Sequence, residues 1–415
     1  MALGARRSYP AATSKRNLPT MRILFTSLLG SGHFHPLVPV ARALQQAGHE
    51  VAFATTEQLQ KQVESLGFRF FRAGGERPQM PQGAMAQVAE SMMRMPPEAR
   101  REHMANMFIG HFARKMVSDL MALVPDWRPD LLVRDSMELG GAIAAERLGL
   151  PHASIQVGAV LPQDYAYPLM VARLDEVRAT VGLPPEPEPR SLYHYLHLCF
   201  VPPHYLGGSM PPTAHFFQPA VFDQSGDERL PAWAAQLGQN GRPVVYVTLG
   251  TVFNKVVGVL RTLVEGVREE PVELVVTVGR DVDPAELGPQ PAHVHVERYI
   301  PQTQLFPHVD LAILHGGYNS ATAALAHGLP MVLVPIAADQ PMNAERCREL
   351  GVARVVEPLS MTPESVREAV RDVLRTPSYR ENARRFQAEA RTLPGMSRAV
   401  ELLEKLAAEK TPQPM

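Results

Sequence analysis

The sequence has little cysteine and no excess of charge of either sign. Its 415 residues include two cysteines, Cys199 and Cys347, whose wide separation excludes a disulfide framework and suits a reducing compartment. The 41 basic and 42 acidic side chains leave a formal net charge of -1, which gives no electrostatic case for binding nucleic acid or an anionic membrane. A cytoplasmic protein without a nucleic-acid partner is therefore expected.

Long apolar runs and internal repeats are also missing. No run approaches the roughly 20 apolar residues of a membrane span, and no unit of about 20 to 50 residues recurs. The pair Arg6-Arg7 resembles the start of an export signal, but no apolar segment follows it. Residues 1–20 are therefore predicted to be a disordered extension, or to precede the true start at Met21.

What is present is an alternation of apolar strands and amphipathic helices over a length that suits two domains. Segments 22–27 and 51–55 are predicted strands flanking a helix from about 36 to 48, and this unit favours a parallel sheet covered by helices. Further predicted strands are 68–71, 131–133, 154–157, 244–249, 273–278, 294–296, 311–314 and 331–334. Predicted helices are 141–148, 256–267 and most of 363–410.

The fold class is therefore α/β, with two similar domains that are expected to bind ligands in the cleft between them. The predicted boundaries are an extension 1–20, a first domain 21–222, a linker 223–242, a second domain 243–394 and a C-terminal segment 395–415. Residues 161–240 are rich in proline and polar residues and show few periodic segments.

A methionine-rich segment, 80–121, is predicted to be helical. Methionine fills irregular apolar space and adapts to varied ligands. Two interpretations remain open: helices that pack on the domain core, or a lining for a bulky apolar ligand.

The stretch 298–343 organises the second domain, and its centre is the sequence from His315 to Ser320. Gly316 and Gly317 permit a sharp turn between a strand and a helix, and Asn319 and Ser320 stand where a helix N-cap is expected. Free amides and the helix dipole would then form an anion site suited to pyrophosphate, with His315 as an additional donor. Taken alone, an ordinary strand-to-helix turn explains the pattern as well.

A second glycine-rich segment, from Gly30 to Pro36, follows the first strand. Its spacing fails the G-x-G-x-x-G pattern, which disfavours a dinucleotide-dependent oxidoreductase. The loop instead carries His33 and His35, and a neutral imidazole there can take a proton from a hydroxyl. For His35 a purely structural role at the start of a helix is equally open.

Asp135 follows the strand 131–133 and should emerge at the same edge of the sheet. It either orients a histidine or caps the next helix. Asp339 and Gln340 follow the strand 331–334 and are suited to binding sugar hydroxyls, although such pairs are common in loops. His103 with His111, and His293 with His295, form no metal-ligand set, and solvated side chains are the preferred interpretation.

Together these motifs resemble the family-1 nucleotide-sugar glycosyltransferases of GT-B fold. Gly32-His33-x-x-Pro36 matches the amino-terminal G-H-x-x-P of that family. The donor signature is matched in order and spacing by Tyr299-Ile300-Pro301-Gln302, His315-x-Gly317-x-Asn319-Ser320, Gly328-x-Pro330 and Asp339-Gln340. The similarity covers nearly everything from Met21 onward, and it is strongest to bacterial enzymes that glycosylate polyketide and enediyne natural products.

The resemblance implies two Rossmann-like domains facing each other across a cleft, and an enzyme of the hexosyltransferase type (EC 2.4). His33 would be the general base and Asp135 the acid that orients it. The implied substrates are a nucleotide diphosphate sugar and an apolar hydroxylated acceptor, with inversion at the anomeric carbon, no metal and no other cofactor. The implied donor-binding residues are Gly32, Gly250, Thr251, Tyr299, Ile300, Gln302, His315, Gly316, Gly317, Asn319, Ser320, Asp339 and Gln340. The C-terminal segment would pack back on the first domain, and a homodimer is left open.

Two positions depart from the pattern of the plant enzymes. Tyr299 stands in place of a tryptophan that stacks on the base, and Ala323 in place of a glutamate that binds the ribose hydroxyls. A missing ribose acceptor favours a dTDP-sugar over a UDP-sugar, because deoxyribose lacks the 2′-hydroxyl. One alternative is a GT-B epimerase or hydrolase, which needs no hydroxyl acceptor. The other is a helper protein without catalytic activity, but the retention of both His33 and Asp135 argues against it.

Overall fold

The chain forms two parallel β-sheets, each with helices on its faces. The computed structural model describes residues 19–76, 91, 94–158, 162–223, 229–250, 257–279 and 282–415. Within these residues the first sheet has seven strands and the second has six. Parallel pairing throughout fits the near-continuous apolar sequences of the strands, because such strands are buried on both faces.

The first sheet has the order β3-β2-β1-β4-β5-β6-β7. Its strands are β1 (Arg22–Thr26), β2 (Glu50–Thr55), β3 (Arg69–Arg72), β4 (Leu131–Asp135), β5 (His152–Ile155), β6 (Leu196–Cys199) and β7 (Ala214–Phe216). Its helices are α1 (Ser31–Phe34), α2 (Val38–Gln46), α3 (Gln60–Ser65), α4 (Pro97–Met104), α5 (Arg114–Trp127), α6 (Gly140–Leu148), α7 (Pro168–Ala179) and α8 (Pro203–Leu206), with a π-helical segment Ala105–Ala113.

The second sheet has the order β10-β9-β8-β11-β12-β13. Its strands are β8 (Val244–Thr248), β9 (Glu273–Thr277), β10 (Val294–Glu297), β11 (Leu311–Leu314), β12 (Met331–Leu333) and β13 (Ala353–Val355). The helices that follow are α9 (Val257–Val267), α10 (Gln302–Leu305), α11 (Tyr318–Ala326), α12 (Gln340–Glu349), α13 (Pro363–Arg375), α14 (Pro377–Thr392) and α15 (Met396–Glu409). Two parallel-sheet, Rossmann-like domains confirm the predicted α/β fold class.

The predicted strands agree with the structure to within a few residues, but three strands and the helices α3, α7, α8 and α10 were not predicted. The strands β6, β7 and β13 have three or four residues each. Such short segments show neither the alternation nor the length by which a strand is recognised. The described part of the methionine-rich segment is helical as expected, and its residues 80–90, 92 and 93 lie outside the described residues.

The last helix, α15, crosses back to the first sheet. Its Leu402, Leu403 and Leu406 are buried in the same core cluster as Leu44 of α2. On its edge, the Glu404 carboxylate lies 3.2 Å from Nε2 of His49, just before β2. Beyond it the backbone N–H of Gln413 donates to the carbonyl of Tyr195. The C-terminal residues therefore bury apolar surface against the half of the chain that begins at Met21.

No helix among the described residues is long and apolar enough to span a membrane.

Candidate active site

A helical turn, rather than the predicted loop, carries the first histidine. Gly30 has a φ of 102°, and its carbonyl accepts hydrogen bonds from the backbone N–H groups of His33 (3.1 Å) and Phe34 (3.2 Å). Glycine adopts this positive φ without steric cost, so the chain turns into α1 at Ser31 instead of at Pro36. His33 therefore lies on a short helix at the carboxyl end of β1.

The His33 imidazole lies beside Asp135, with Nδ1 3.3 Å from Oδ2. The Asp135 side chain is fully buried, whereas that of His33 is 22% exposed. Asp135 also accepts hydrogen bonds from three backbone N–H groups, those of Leu28 (2.9 Å), Met137 (2.7 Å) and Glu138 (2.9 Å). Asp135 accepts from the turn after β4 and faces a histidine that is open to the cleft. The alternative that it caps the next helix is wrong, because Leu139 is the N-cap of α6 and no side chain caps that helix.

His35 is held elsewhere. Its Nε2 lies 2.7 Å from the side-chain amide of Gln62, and its ring packs edge-on against Phe222 with centroids 5.3 Å apart. Of the two histidines in this segment, His33 is the one adjacent to the buried carboxylate.

Two further charged side chains, Arg134 and Glu138, lie buried under the turn that holds Asp135. The Arg134 guanidinium donates to the carbonyls of Asp135 (3.1 Å), Ser136 (3.0 Å) and Glu138 (3.2 Å). The Glu138 carboxyl accepts from the Thr26 hydroxyl at 2.6 Å, and its complete burial raises its pKa to about 7. Sequence analysis missed both residues, because nothing in a local pattern shows that a charged residue will be buried.

The second loop connects β11 to α11 and carries His315. Gly316 has a φ of 80°, and Gly317, with φ -62° and ψ 136°, is the N-cap of α11. The prediction that Asn319 and Ser320 form the N-cap is wrong, since both lie within the first helical turn. The N–H groups at the start of a helix have no partner inside it, and the prediction of an anion site rests on these groups.

The His315 imidazole is enclosed by two glycines. A Cβ atom at Gly250, where φ is 74°, would lie 2.6 Å from its Cε1, and one at Gly317 would lie 2.5 Å from its Nε2. Burial lowers the pKa of His315 to about 4, so the ring is neutral near pH 7. It can therefore present one N–H donor without carrying a charge.

Contacts between the two halves bring these loops together. The side-chain amide of Asn319 donates to the carbonyl of Gly32 at 2.9 Å, one residue before His33. Asp339 lies so close to Gly158 that a Cβ atom at this glycine would be 2.7 Å from its Oδ2. The segment that carries His33 and the turn between β11 and α11 therefore lie beside each other at the same cleft.

The segment around Tyr299 contacts the linker and the core. The Tyr299 hydroxyl donates to the carbonyl of Asp223, and the Gln302 amide lies 3.4 Å from the Tyr246 hydroxyl. Ile300 is 1% exposed within the core, so its side chain is not available to a ligand. Thr251 lies outside the described residues.

Asp339 and Gln340 precede and open α12. The Gln340 side-chain oxygen accepts from the N–H groups of Ile336 (2.8 Å) and Ala337 (2.9 Å), so it fixes the loop after β12. The Asp339 carboxylate accepts from the amide of Asn343 at 2.9 Å. The importance of Asn343 was missed, although its spacing of four residues from Asp339 on a helix was a usable signal.

Of the histidines that were weighed as metal ligands, His103 and His111 are exposed as expected, whereas His293 and His295 have other partners. His293 Nε2 lies 2.8 Å from the carbonyl of Arg268, and His295 stacks on Trp233 with centroids 4.0 Å apart. Both are half-buried, so the expectation of solvated side chains is wrong for this pair. Across the described ranges, no group of three or more His, Cys, Asp or Glu side chains is arranged to hold a metal ion.

Comparison with known proteins identifies the family of this chain. Residues 228–400 match the family model "UDP-glucoronosyl and UDP-glucosyl transferase", and residues 42–193 match "Erythromycin biosynthesis protein CIII-like, N-terminal domain". The chain is 32% identical to 4'-demethylrebeccamycin synthase of Lentzea aerocolonigenes, over 93% of this chain and 99% of that one. The chain belongs to the family-1 glycosyltransferases of GT-B fold.

Solved structures of GT-B glycosyltransferases superpose on most of the chain. SnogD from Streptomyces nogalater is 27% identical, with a TM-score of 0.74 and coverage of 94% of this chain and 100% of that one. VinC, solved in complex with dTDP, is 25% identical, with the same TM-score and coverage. The relatives are bacterial natural-product glycosyltransferases, and this family-1 glycosyltransferase shares their two-domain architecture.

Two positions that distinguish this chain from plant family-1 glycosyltransferases have clear surroundings. Ala323 of α11 is 1% exposed and belongs to the core cluster of the second domain. Its methyl group offers no acceptor to a ribose hydroxyl. Tyr299 is half-buried, and its hydroxyl is hydrogen-bonded to the linker, a contact that fixes the position of the ring.

Proposed function

We propose that this glycosyltransferase is inverting and metal-independent, and that it transfers a sugar, with a deoxysugar favoured, from a dTDP donor to a hydroxyl of an apolar natural-product aglycone. The observation that supports this most is the pairing of His33 with Asp135 at 3.3 Å, directly beside the anion-binding turn. The hydrogen bond from Asn319 to Gly32 keeps the two parts adjacent.

His33 is the proposed general base. Nδ1 is on the side of Asp135, which leaves Nε2 to take the proton of the acceptor hydroxyl as its oxygen attacks the anomeric carbon. Asp135 selects the tautomer with hydrogen on Nδ1 and stabilises the imidazolium that forms. The three backbone N–H groups that donate to Asp135 hold its carboxylate in place beside His33.

The bond from the anomeric carbon to the diphosphate breaks as the new glycosidic bond forms, and the electron pair leaves with the diphosphate. His315 and the N–H groups of the first turn of α11 are proposed to stabilise this charge, which is electrostatic work of the kind that usually contributes most to catalysis. The positive end of α11 takes the place of a cation.

The other donor contacts are proposed from the family signature. Tyr299 would stack on the base, and Asp339 would bind hydroxyls of the sugar, with Gln340 contributing through its amide nitrogen. The remaining proposed contacts are Gly32, Gly250, Thr251, the backbone of Ile300, Gln302, Gly316, Gly317, Asn319 and Ser320. The proposed domain limits are 21–222 for acceptor binding and 243–394 for donor binding, with 223–242 as linker and 395–415 returning to the first domain.

The test of the base is a transfer assay with His33→Ala. Wild-type protein, a panel of dTDP- and UDP-sugars and apolar hydroxylated aglycones should yield a glycoside and a free nucleoside diphosphate, also in the presence of a chelator. His33→Ala should lower kcat by about 10²- to 10⁴-fold, the usual contribution of a general base. Product is measured by mass spectrometry.

His35→Ala is the matched control, because it removes a second imidazole two residues along the same segment and should stay within a few-fold of wild type. A wild-type rate in His33→Ala would refute the base assignment. Release of free sugar without an acceptor would instead indicate the hydrolase alternative.

The donor nucleotide is tested separately with matched pairs that carry the same sugar on dTDP and on UDP. Since Ala323 supplies no acceptor for a 2′-hydroxyl, we expect kcat/KM to be higher for the dTDP-sugar. A clear preference for the UDP-sugar would contradict this choice.

A further inference from the structure

Asn343 is a fully buried polar side chain on the first turns of α12. Burying an amide away from water is unfavourable unless its polar atoms are hydrogen-bonded. Its Nδ2 donates to two acceptors at once, the carbonyl of Gly316 at 3.0 Å and Oδ2 of Asp339 at 2.9 Å. The two hydrogens of one amide nitrogen thus join the anion-binding turn to the acidic residue before α12.

The first of these bonds orients the anion-binding turn. Because the peptide bond is planar and trans, a carbonyl of Gly316 that points toward Asn343 forces the N–H of Gly317 in the opposite direction. Gly316 also has a φ of 80°, and a Cβ there would lie 3.1 Å from the carbonyl of Gln340. The turn therefore packs closely on the start of α12, and Asn343 fixes its rotation.

The second bond orients the Asp339 carboxylate. The backbone N–H of Asn343 donates to the Asp339 carbonyl at 3.0 Å, which keeps the two residues one helical turn apart. The side-chain bond then fixes the carboxylate on that turn. Asp339 lies against Gly158 of the first domain, so its orientation also affects the cleft.

Asn343 also has a feature that stability does not explain. Its Oδ1 is buried and has no hydrogen-bond partner among the described residues, which is unfavourable for a polar atom. A residue kept only for packing would avoid this penalty by being apolar. The two donor bonds, and what they orient, account for an amide at this position.

We propose that Asn343 is a positioning residue that couples the diphosphate-binding turn to the sugar-binding carboxylate of Asp339. This inference rests on the proposed function of both parts. One side chain then sets the geometry of the two groups that hold the donor on either side of the bond that breaks.

The experiment uses Asn343→Asp, which keeps the shape but replaces a double donor by a carboxylate. At neutral pH two carboxylates would face each other and the Gly316 carbonyl would lose its donor, so affinity for dTDP alone should fall about ten- to a hundredfold. On lowering the pH from about 8 to about 5.5, a shared proton should restore part of this affinity, because adjacent carboxylates bind a proton more tightly than isolated ones. Affinity is measured by calorimetry.

Two controls isolate the effect. Asn382→Asp makes the same change at another helical asparagine. The Asn382 amide donates to the carbonyl of Gly351 at 3.0 Å, and Gly351 also has a positive φ of 63°. This variant should leave the affinity for dTDP and its dependence on pH unchanged. Asp339→Asn should raise KM for the nucleotide sugar while sparing affinity for dTDP. Melting curves verify that each variant is folded.

The outcomes separate the inference from the function on which it rests. If folded Asn343→Asp binds dTDP with wild-type affinity across the pH range, the coupling is wrong while the proposed function stands. If wild-type protein binds neither dTDP nor UDP, the proposed function is overturned and this inference with it.

Discussion

At the scale of single residues, Glu138 is a carboxyl group whose charge the fold opposes. It is completely buried, and desolvation raises its pKa from 4.5 to about 7 despite hydrogen bonds from Thr26 and from the N–H of Gly141. An unfolded chain would ionise this carboxyl near its ordinary pKa. The folded state therefore holds a proton that the unfolded state releases, between about pH 4.5 and about pH 7.

This difference predicts how Glu138→Gln changes stability with pH. As the pH rises through that window, the wild-type chain should lose about 3 kcal/mol of unfolding free energy that the glutamine variant keeps. Glutamine can still donate to the Thr26 hydroxyl and accept from Gly141, so the variant should fold. Urea unfolding at a series of pH values measures the difference between the two proteins, and parallel curves would show that Glu138 does not titrate in this range.

Residues that act through a local motif could be predicted, whereas residues that act through burial could not. His33 and His315 stand out because glycine-rich turns place them at strand ends, and the structure puts each at such an end. Glu138 and Arg134 have no local signature, since their burial depends on strands and helices far along the chain. Ile300 shows the opposite error. It was predicted to bind the donor because it belongs to a matching family motif, but its side chain is buried in the core and serves packing.

At the scale of elements, two helices begin at a glycine and differ in what surrounds it. Gly317 caps α11 with φ -62°, and Gly395 caps α15 with φ -82°. A Cβ at Gly317 would lie 2.5 Å from Nε2 of His315, whereas one at Gly395 meets nothing within 4 Å. Gly317 is required because a larger residue would collide with the His315 imidazole. Gly395 has no such neighbour and serves only as the N-cap of its helix.

Gly317→Ala should therefore weaken binding of a nucleoside diphosphate, while Gly395→Ala should not. Alanine suits both backbone conformations, and replacing a cap residue in this way costs at most about 1 kcal/mol in either helix. Displacing the imidazole removes a hydrogen bond to a charged group, which corresponds to about a tenfold loss of affinity or more. Calorimetry with dTDP compares the two variants, and equal affinities would mean that His315 does not contact the diphosphate.

Helices with an apolar stripe were predictable because burial of one face makes apolar residues recur every three to four positions. The long strands were predictable because burial of both faces gives a continuous apolar run. The N-cap of α11 was misplaced because asparagine and serine are the usual caps. The chain instead needs glycine at Gly317, where an added Cβ would lie 2.5 Å from the His315 ring. The short strands β6, β7 and β13 pair only because neighbouring strands of their sheets already exist. Their formation is a tertiary effect, which local sequence does not encode.

At the scale of the whole molecule, the cleft is defined by contacts that cross it. Asn319 reaches Gly32 from one side, and Asp339 lies against Gly158. A side chain at Gly158 would place its Cβ 2.7 Å from the Asp339 carboxylate, and its φ of 91° is one that alanine rarely adopts. Glycine at this position therefore sets how closely the two domains approach.

Gly158→Ala should move Asp339 away from the first domain and raise KM for the nucleotide sugar by about tenfold, the loss of one good polar contact. Gly149→Ala is the matched control, because its φ is 64° but nothing lies within 4 Å of the added Cβ. Both variants should lose similar stability from backbone strain, so a difference in KM reports the contact across the cleft. Affinity for dTDP alone should change little in either, since neither added Cβ contacts the turn at Gly316. If the two variants share the same KM, the approach of the domains at Gly158 does not govern how the sugar is held.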